Sequence, residues 1–160
     1  MQMNSELAVE IHFLLSTIFA GIIGTGGMTL FMHSITQTGI ANADMVRAIG
    51  SIFTRSLDSA LLVGTLLHFT AGVIFAMIYT ILFGFFGAQG TLPHVGIGIL
   101  IGFMHGFVLS FFLVISVAEH HPLKEFREAG FSVAVAHLIG HIIYGALVGL
   151  VIGLSGSSRL

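Results

Sequence analysis

The amino-acid sequence predicts an all-α integral membrane protein, a bundle of four transmembrane helices. The chain has 160 residues, of which 56% are hydrophobic and 8% are charged, whereas soluble domains carry about 25% charged residues. The stretches 11–43, 59–118 and 129–158 contain no Asp, Glu, Lys or Arg. Each stretch can hold a spanning helix of about 20 residues, and the middle one can hold two.

The four helices are expected at 10–34, 58–86, 94–118 and 129–154, in a single domain over residues 1–160. The glycine- and proline-containing segment 87–93 supplies the turn between the second and third helices. Because the connections after the second and third helices are short, we expect successive helices to pack as antiparallel neighbours.

The first connection is longer and contains apolar residues at helical spacing, among them Met45, Ile49, Ile52 and Phe53. This pattern predicts a short amphipathic helix over 43–56 on the cytoplasmic surface. An extension of the second transmembrane helix is the alternative interpretation.

The few cations predict the orientation of the bundle. Arg47, Arg55, Lys124 and Arg127 lie in the first and third connections, and connections rich in Lys and Arg remain in the cytoplasm. We therefore expect a protein of the inner or plasma membrane with both termini outside. No Lys or Arg precedes the first apolar stretch, so that stretch is interpreted as a retained helix rather than a signal peptide.

Composition excludes several classes of function. The chain has no cysteine, which excludes disulfides, thiolate ligands and iron–sulfur clusters held by cysteine. No basic stripe indicates nucleic-acid binding. The sequence shows no nucleophile with its base, no phosphate-binding loop and no paired carboxylates within the bilayer. We therefore do not expect an enzyme acting on its own.

Histidines inside the predicted spans indicate the function. His68, His105, His137 and His141 belong to three different helices. At about 1.5 Å per residue, His105 and His141 lie near the midplane, with His68 and His137 roughly 6 Å nearer the cytoplasm. His137 and His141 are four residues apart and share one helix face. Ionisable side chains at this depth are rare and commonly functional.

Neutral imidazole is a frequent metal ligand, so these four histidines are predicted to bind haem b or a transition metal, which would be Cu, Fe or Zn. Haem needs two imidazoles at equal depth, which His105 with His141 or His68 with His137 supply. An ion would use three or four imidazoles, and a magnesium tetrapyrrole only one. The expected task is electron transfer or metal handling, as a subunit of a larger redox complex or as a homo-oligomer in the lipid bilayer.

Weaker candidates surround the cytoplasmic mouth of the same region. They are His33, Glu119, His120 and His121. Pro122 disfavours helical geometry at His121, so this group belongs to a helix end, where such side chains are more often solvated than ligating. Met28 and Met32 lie between this mouth and the deeper histidines, and their thioethers would add soft ligands for Cu(I).

Two other functions remain open. One is a cofactor-free structural or assembly subunit, whose histidines form ordinary hydrogen bonds. Its glycine faces, such as Gly145, Gly149 and Gly153, would pack closely against other helices. The other is a small proton or metal-ion transport subunit entered through His33, His120 and His121. At this chain length, a transport pore would have to come from oligomerisation.

Four different short motifs are spread over most of the chain. They are Gly24-x-x-Gly27-Met-Thr, Met45-x-x-x-Ile49-Gly50, Leu67-His68-x-x-x-Gly72-x-x-x-Ala76-x-x-Tyr79 and His141-x-x-Tyr144-Gly145-x-x-x-Gly149. In these motifs the chain resembles a family of small, uncharacterised four-helix membrane proteins of bacteria and archaea. The resemblance implies a four-helix fold, emphasises His68 and His141, and assigns no activity. The histidines at 105, 120, 121 and 137 lie outside these motifs.

Overall fold

The computed structural model describes residues 2–113 and 118–156. Its elements in chain order are α1 (Gln2–Thr38), α2 (Met45–Thr54), α3 (Leu57–Phe85), α4 (Thr91–Val108), a π-helical turn (Leu109–Leu113), α5 (Lys124–Arg127) and α6 (Phe131–Ser155). The described residues contain no strand, which confirms the all-α class. Helices α1, α3, α4 with its π-helical turn, and α6 are long and apolar enough to cross a membrane.

The helices predicted at 10–34, 58–86, 94–118 and 129–154 each correspond to one of these four long helices. The largest difference is at the first, because α1 begins at Gln2, eight residues before the predicted start, and ends at Thr38, four residues after the predicted end. The end of the third predicted helix, residues 114–117, lies outside the described part of the chain. Beyond Val108 the third span continues as a π-helical turn, a local widening of the helix that often occurs at functional sites.

Helix α2 is separate from α3, so the interpretation of this segment as an extension of α3 is wrong. The side chain of Asp44 caps α2 by accepting a hydrogen bond from the Arg47 backbone N–H at 3.1 Å. Arg55 ends the helix with φ of 53°, and Ser56 is extended. A left-handed residue followed by an extended one interrupts the helical hydrogen bonds, so the chain turns between the two helices.

Helix α6 is the centre of the bundle. In its most hydrophobic stretch 50% of the residues are buried, against 22% in each of the other three spans. It packs extensively on α4 and α1, while α1 and α2 pack on α3. The expectation that successive helices are neighbours is wrong for α3 and α4, which contact each other little.

Glycines explain why α4 packs on α6 rather than on α3. A Cβ atom on Gly98 would collide with the carbonyl oxygen of Gly145, and one on Gly149 with the carbonyl oxygen of His94. The two backbones are therefore in direct contact, which only small residues allow. Near the turn at 86–90, Phe83 and His94 are in ring contact at 5.2 Å. Nearer α2, a cavity lies between α3 and α4.

Candidate functional site

The cavity has a volume of about 430 Å³ and lies at the α2 end of the bundle. Its lining is mostly apolar and comes from α1, α2, α3, α4, α6 and the segment 118–129. All four histidines that were predicted from their depth line it, His68 from α3, His105 from α4, and His137 and His141 from α6. Binding sites for small molecules and cofactors have this size and this mixture of an apolar wall with few polar groups.

The Nδ1 atoms of His137 and His141 each lie close to the carbonyl oxygen of the residue four positions earlier in α6. Nδ1 of His137 lies 3.0 Å from the Val133 carbonyl oxygen, and Nδ1 of His141 lies 2.9 Å from the His137 carbonyl oxygen. A carbonyl only accepts, so each Nδ1 carries the proton and donates it. In a neutral ring, Nε2 then keeps its lone pair. Metal-binding histidines usually have this arrangement, in which the other nitrogen donates to a carbonyl or carboxylate.

His105 lies between aromatic residues and the other imidazoles. Its Nδ1 is 3.0 Å from the Tyr79 hydroxyl oxygen, its ring is 4.1 Å from that of Phe75, and it meets His141 edge to face at 4.8 Å. Tyr79 in turn contacts Tyr144 at 5.5 Å. These contacts fix the orientation of the His105 ring at the deep end of the cavity.

Three buried polar atoms at the cavity have no hydrogen-bond partner among the described residues. They are Nε2 of His68, Nε2 of His105 and Oγ1 of Thr25. A buried polar atom left without a partner costs about 1–3 kcal/mol, and each such atom in a protein calls for an explanation, such as a bound ligand or water. The three atoms belong to α3, α4 and α1, and all three residues line the same cavity.

The imidazoles do not form a ready-made ion site. Among the described residues, no three His, Asp or Glu side chains are arranged so that they could hold one metal ion. His105 and His141 also do not have the spacing of two axial haem ligands. Imidazoles on opposite sides of one iron have centroids about 6 Å apart, because each metal–nitrogen bond is about 2 Å long, whereas these centroids are 4.8 Å apart.

The weaker candidates are spread over different environments. His121 is 2% exposed and lines the cavity, but both of its ring nitrogens are occupied. Nδ1 accepts from the Leu123 N–H at 3.1 Å, and Nε2 donates to the Ala48 carbonyl at 3.0 Å. His121 therefore fastens α2 to the loop before α5. Glu119 and His120 are exposed.

The side chains of α1 are divided between two cavities. His33 is exposed and lines a second, smaller cavity, as does Met32, while Met28 lines the main one. Both methionines are 2% exposed and pack against Gly140 of α6, which lies one turn after His137 and directly before His141. The two thioethers are therefore close to the helix that carries two of the imidazoles.

Sequence reasoning did not assign Phe75 and Tyr79 to the site. Phe75 and Tyr79 follow His68 at 7 and 11 residues, which are two and three helical turns, so all three share one face of α3. That spacing alone could have indicated that Phe75 and Tyr79 lie near His68. A comparison with known protein families, characterised proteins and solved structures finds no match for this chain.

Proposed function

We propose that this protein binds a cofactor inside the membrane, haem b or a transition metal held by His68, His105, His137 and His141, for electron transfer or metal handling. The observation that carries the proposal is the convergence of these histidines on one largely apolar cavity. Two of them, His68 and His105, bring Nε2 atoms that have no partner among the described residues.

Haem b fits the cavity better than a bare ion. A bare ion needs three or four protein ligands at once, and no such group stands ready among the described side chains. A porphyrin brings four nitrogen ligands of its own and asks the protein for one or two axial imidazoles. A flat apolar macrocycle also matches walls that are mainly hydrophobic, whereas an ion alone would leave most of a 430 Å³ space unused.

His68 and His105 are the preferred axial candidates. They stand on α3 and α4, the two helices between which the cavity lies, and neither Nε2 is engaged. His137 and His141 share one helix, so they line the same wall. His141 and His105 are too close together to receive a macrocycle between them without moving apart.

Visible absorption and metal analysis of one purified sample test this proposal. The protein is purified in mild detergent from membranes supplied with haem and with copper, iron and zinc. We expect a Soret band that shifts on reduction and about one iron per chain, because axial imidazoles tune a reducible iron. Stoichiometric copper, iron or zinc without a Soret band would establish the ion instead.

Substitution of the histidines separates this proposal from a purely structural role. We expect His68→Gln and His105→Gln to lose the cofactor while still assembling in the membrane. The matched control is His94→Gln, since His94 is also buried at 1% exposure but does not line the cavity. If neither haem nor metal is present in wild type, or all three variants behave alike, the proposal is wrong, and the structural and transport roles are the alternatives.

A further inference from the structure

A second cavity of about 230 Å³ lies beside the first, between α1, α2 and α3. Its wall is more polar. Hydroxyls, an imidazole and an ion pair line it, from Thr29, Thr36, His33, Asp44 and Arg47. We call this space the vestibule.

The vestibule opens at the α2 end of the bundle. His33 is exposed there, and the Arg47 and Asp44 side chains, 48% and 27% exposed, form an ion pair at 3.0 Å. Charged side chains avoid lipid tails and lie in water or at the polar interface. The outer part of the vestibule is therefore in contact with water.

The vestibule and the main cavity share part of their walls. Three residues line both, namely His68, Asp44 and Met45. Of these, His68 is the deepest, with 9% of its surface exposed, and its Nε2 has no hydrogen-bond partner in the described part of the chain. One imidazole thus lies where the more polar space and the mainly apolar one meet.

The other half of the bundle is closely packed around a set of fully buried residues. Its interior is filled by Phe83, Val148 and Ile152, all fully buried, and by Thr17 and Thr80, whose hydroxyls lie 3.4 Å apart. Close packing of this kind leaves no space for a chain of water molecules.

We propose that the vestibule is a one-sided aqueous access path, through which water reaches His68 and the main cavity from the α2 end. Polar side chains line this path, from exposed His33 through Asp44 and Thr29 to buried His68. Polar and ionisable side chains inside a membrane protein commonly face a water-filled cavity. At about 230 Å³ the vestibule is about half the size of the main cavity, so the path serves the small species that a reaction in the cavity would take up or release.

The absence of native cysteine makes cysteine accessibility a direct test. Single variants Thr29→Cys and His68→Cys are placed in liposomes and treated with a charged, membrane-impermeant methanethiosulfonate. Only a thiolate reacts, and a thiol in lipid stays protonated. We expect both variants to react from the α2 side and neither from the opposite side. Met45→Cys, at the same shared wall, is the substitute if His68→Cys does not fold.

Leu30→Cys is the matched control, because Leu30 neighbours Thr29 on α1, is 68% exposed and lines neither cavity. We expect Thr29→Cys to react about tenfold faster or more. Equal rates at 29 and 30, labelling at 29 without labelling at 68 or 45, or labelling from both sides would each overturn the proposal. Because this assay needs no cofactor, a protein without a Soret band but with one-sided labelling would refute only the proposed cofactor.

Discussion

Replacement of Gly102 by alanine tests the contact that holds α4 against α6. A Cβ atom at this position would lie 2.5 Å from the carbonyl oxygen of His141 and 3.2 Å from the Cα atom of Ile142. Non-bonded carbon atoms are comfortable at about 3.5–4.0 Å. Both obstacles are backbone atoms, so no side-chain rotation removes them, and the two helices have to separate by about 1 Å.

The expected cost follows from this geometry. Overpacking of a close contact costs about 1–3 kcal/mol, and 1 kcal/mol lowers the melting temperature of a chain of this length by about 2–4 °C. We therefore expect Gly102→Ala to melt about 2–12 °C below wild type. Gly96 lies on the same helix, and no described atom comes within 4 Å of the Cβ that it would gain. Gly96→Ala should therefore stabilise the protein by about 0.5–1 kcal/mol, because alanine is the better helix former.

Thermal unfolding in one detergent, followed by far-UV circular dichroism, measures both variants against wild type. The two substitutions add the same methyl group to the same helix, so the difference between them isolates the helix contact. A Gly102→Ala protein that melts at or above the temperature of Gly96→Ala would refute the close backbone packing of α4 on α6. Glycine contacts would then no longer explain why α4 packs on α6 rather than on α3.

Two further substitutions test the fastening of the cavity walls. Tyr144→Phe removes the hydroxyl that donates to the Gly72 carbonyl at 2.6 Å. We expect the free energy of unfolding to fall by about 0.5–1.5 kcal/mol. An unchanged melting temperature would contradict this role of the hydroxyl. His121→Ala removes the donor to the Ala48 carbonyl, and we expect faster hydrogen–deuterium exchange in α2 without change in α3. Unaltered exchange over 45–54, or the same increase in a His12→Ala control, would show that His121 does not fasten α2.

Much of the fold could be predicted because hydropathy and charge act locally along the chain. A stretch without charges that is long enough to cross a bilayer forms a helix, whatever it packs against. Which helices pack against each other could not be predicted in the same way, because it depends on which two faces of small residues meet. Gly145 and Gly149 were visible as a close-packing face, but the sequence did not indicate that α4, rather than another helix, would occupy it.

The site shows the same division between local and non-local information. Depth along a helix is local, so the sequence predicted that His68, His105, His137 and His141 lie within one slab of the membrane about 6 Å thick. Their hydrogen bonds depend on neighbouring helices in part. The bonds of His137 and His141 to the preceding turn are helical geometry, whereas the contact of Tyr79 with His105 arises only when α3 and α4 come together.

The hydrogen bonds of the histidines distinguish two kinds of residue within one cavity. His121 is explained by its own contacts, because both ring nitrogens hold the chain in place. His68 and His105 are not, because each keeps a buried Nε2 without a partner in the described structure, at a cost of about 1–3 kcal/mol each. Leucine or phenylalanine would fill the same space without that cost. His68 also lines the vestibule, whereas His105 lines the main cavity but not the vestibule, so the unpaired Nε2 of His105 is the one that a ligand of the main cavity has to explain.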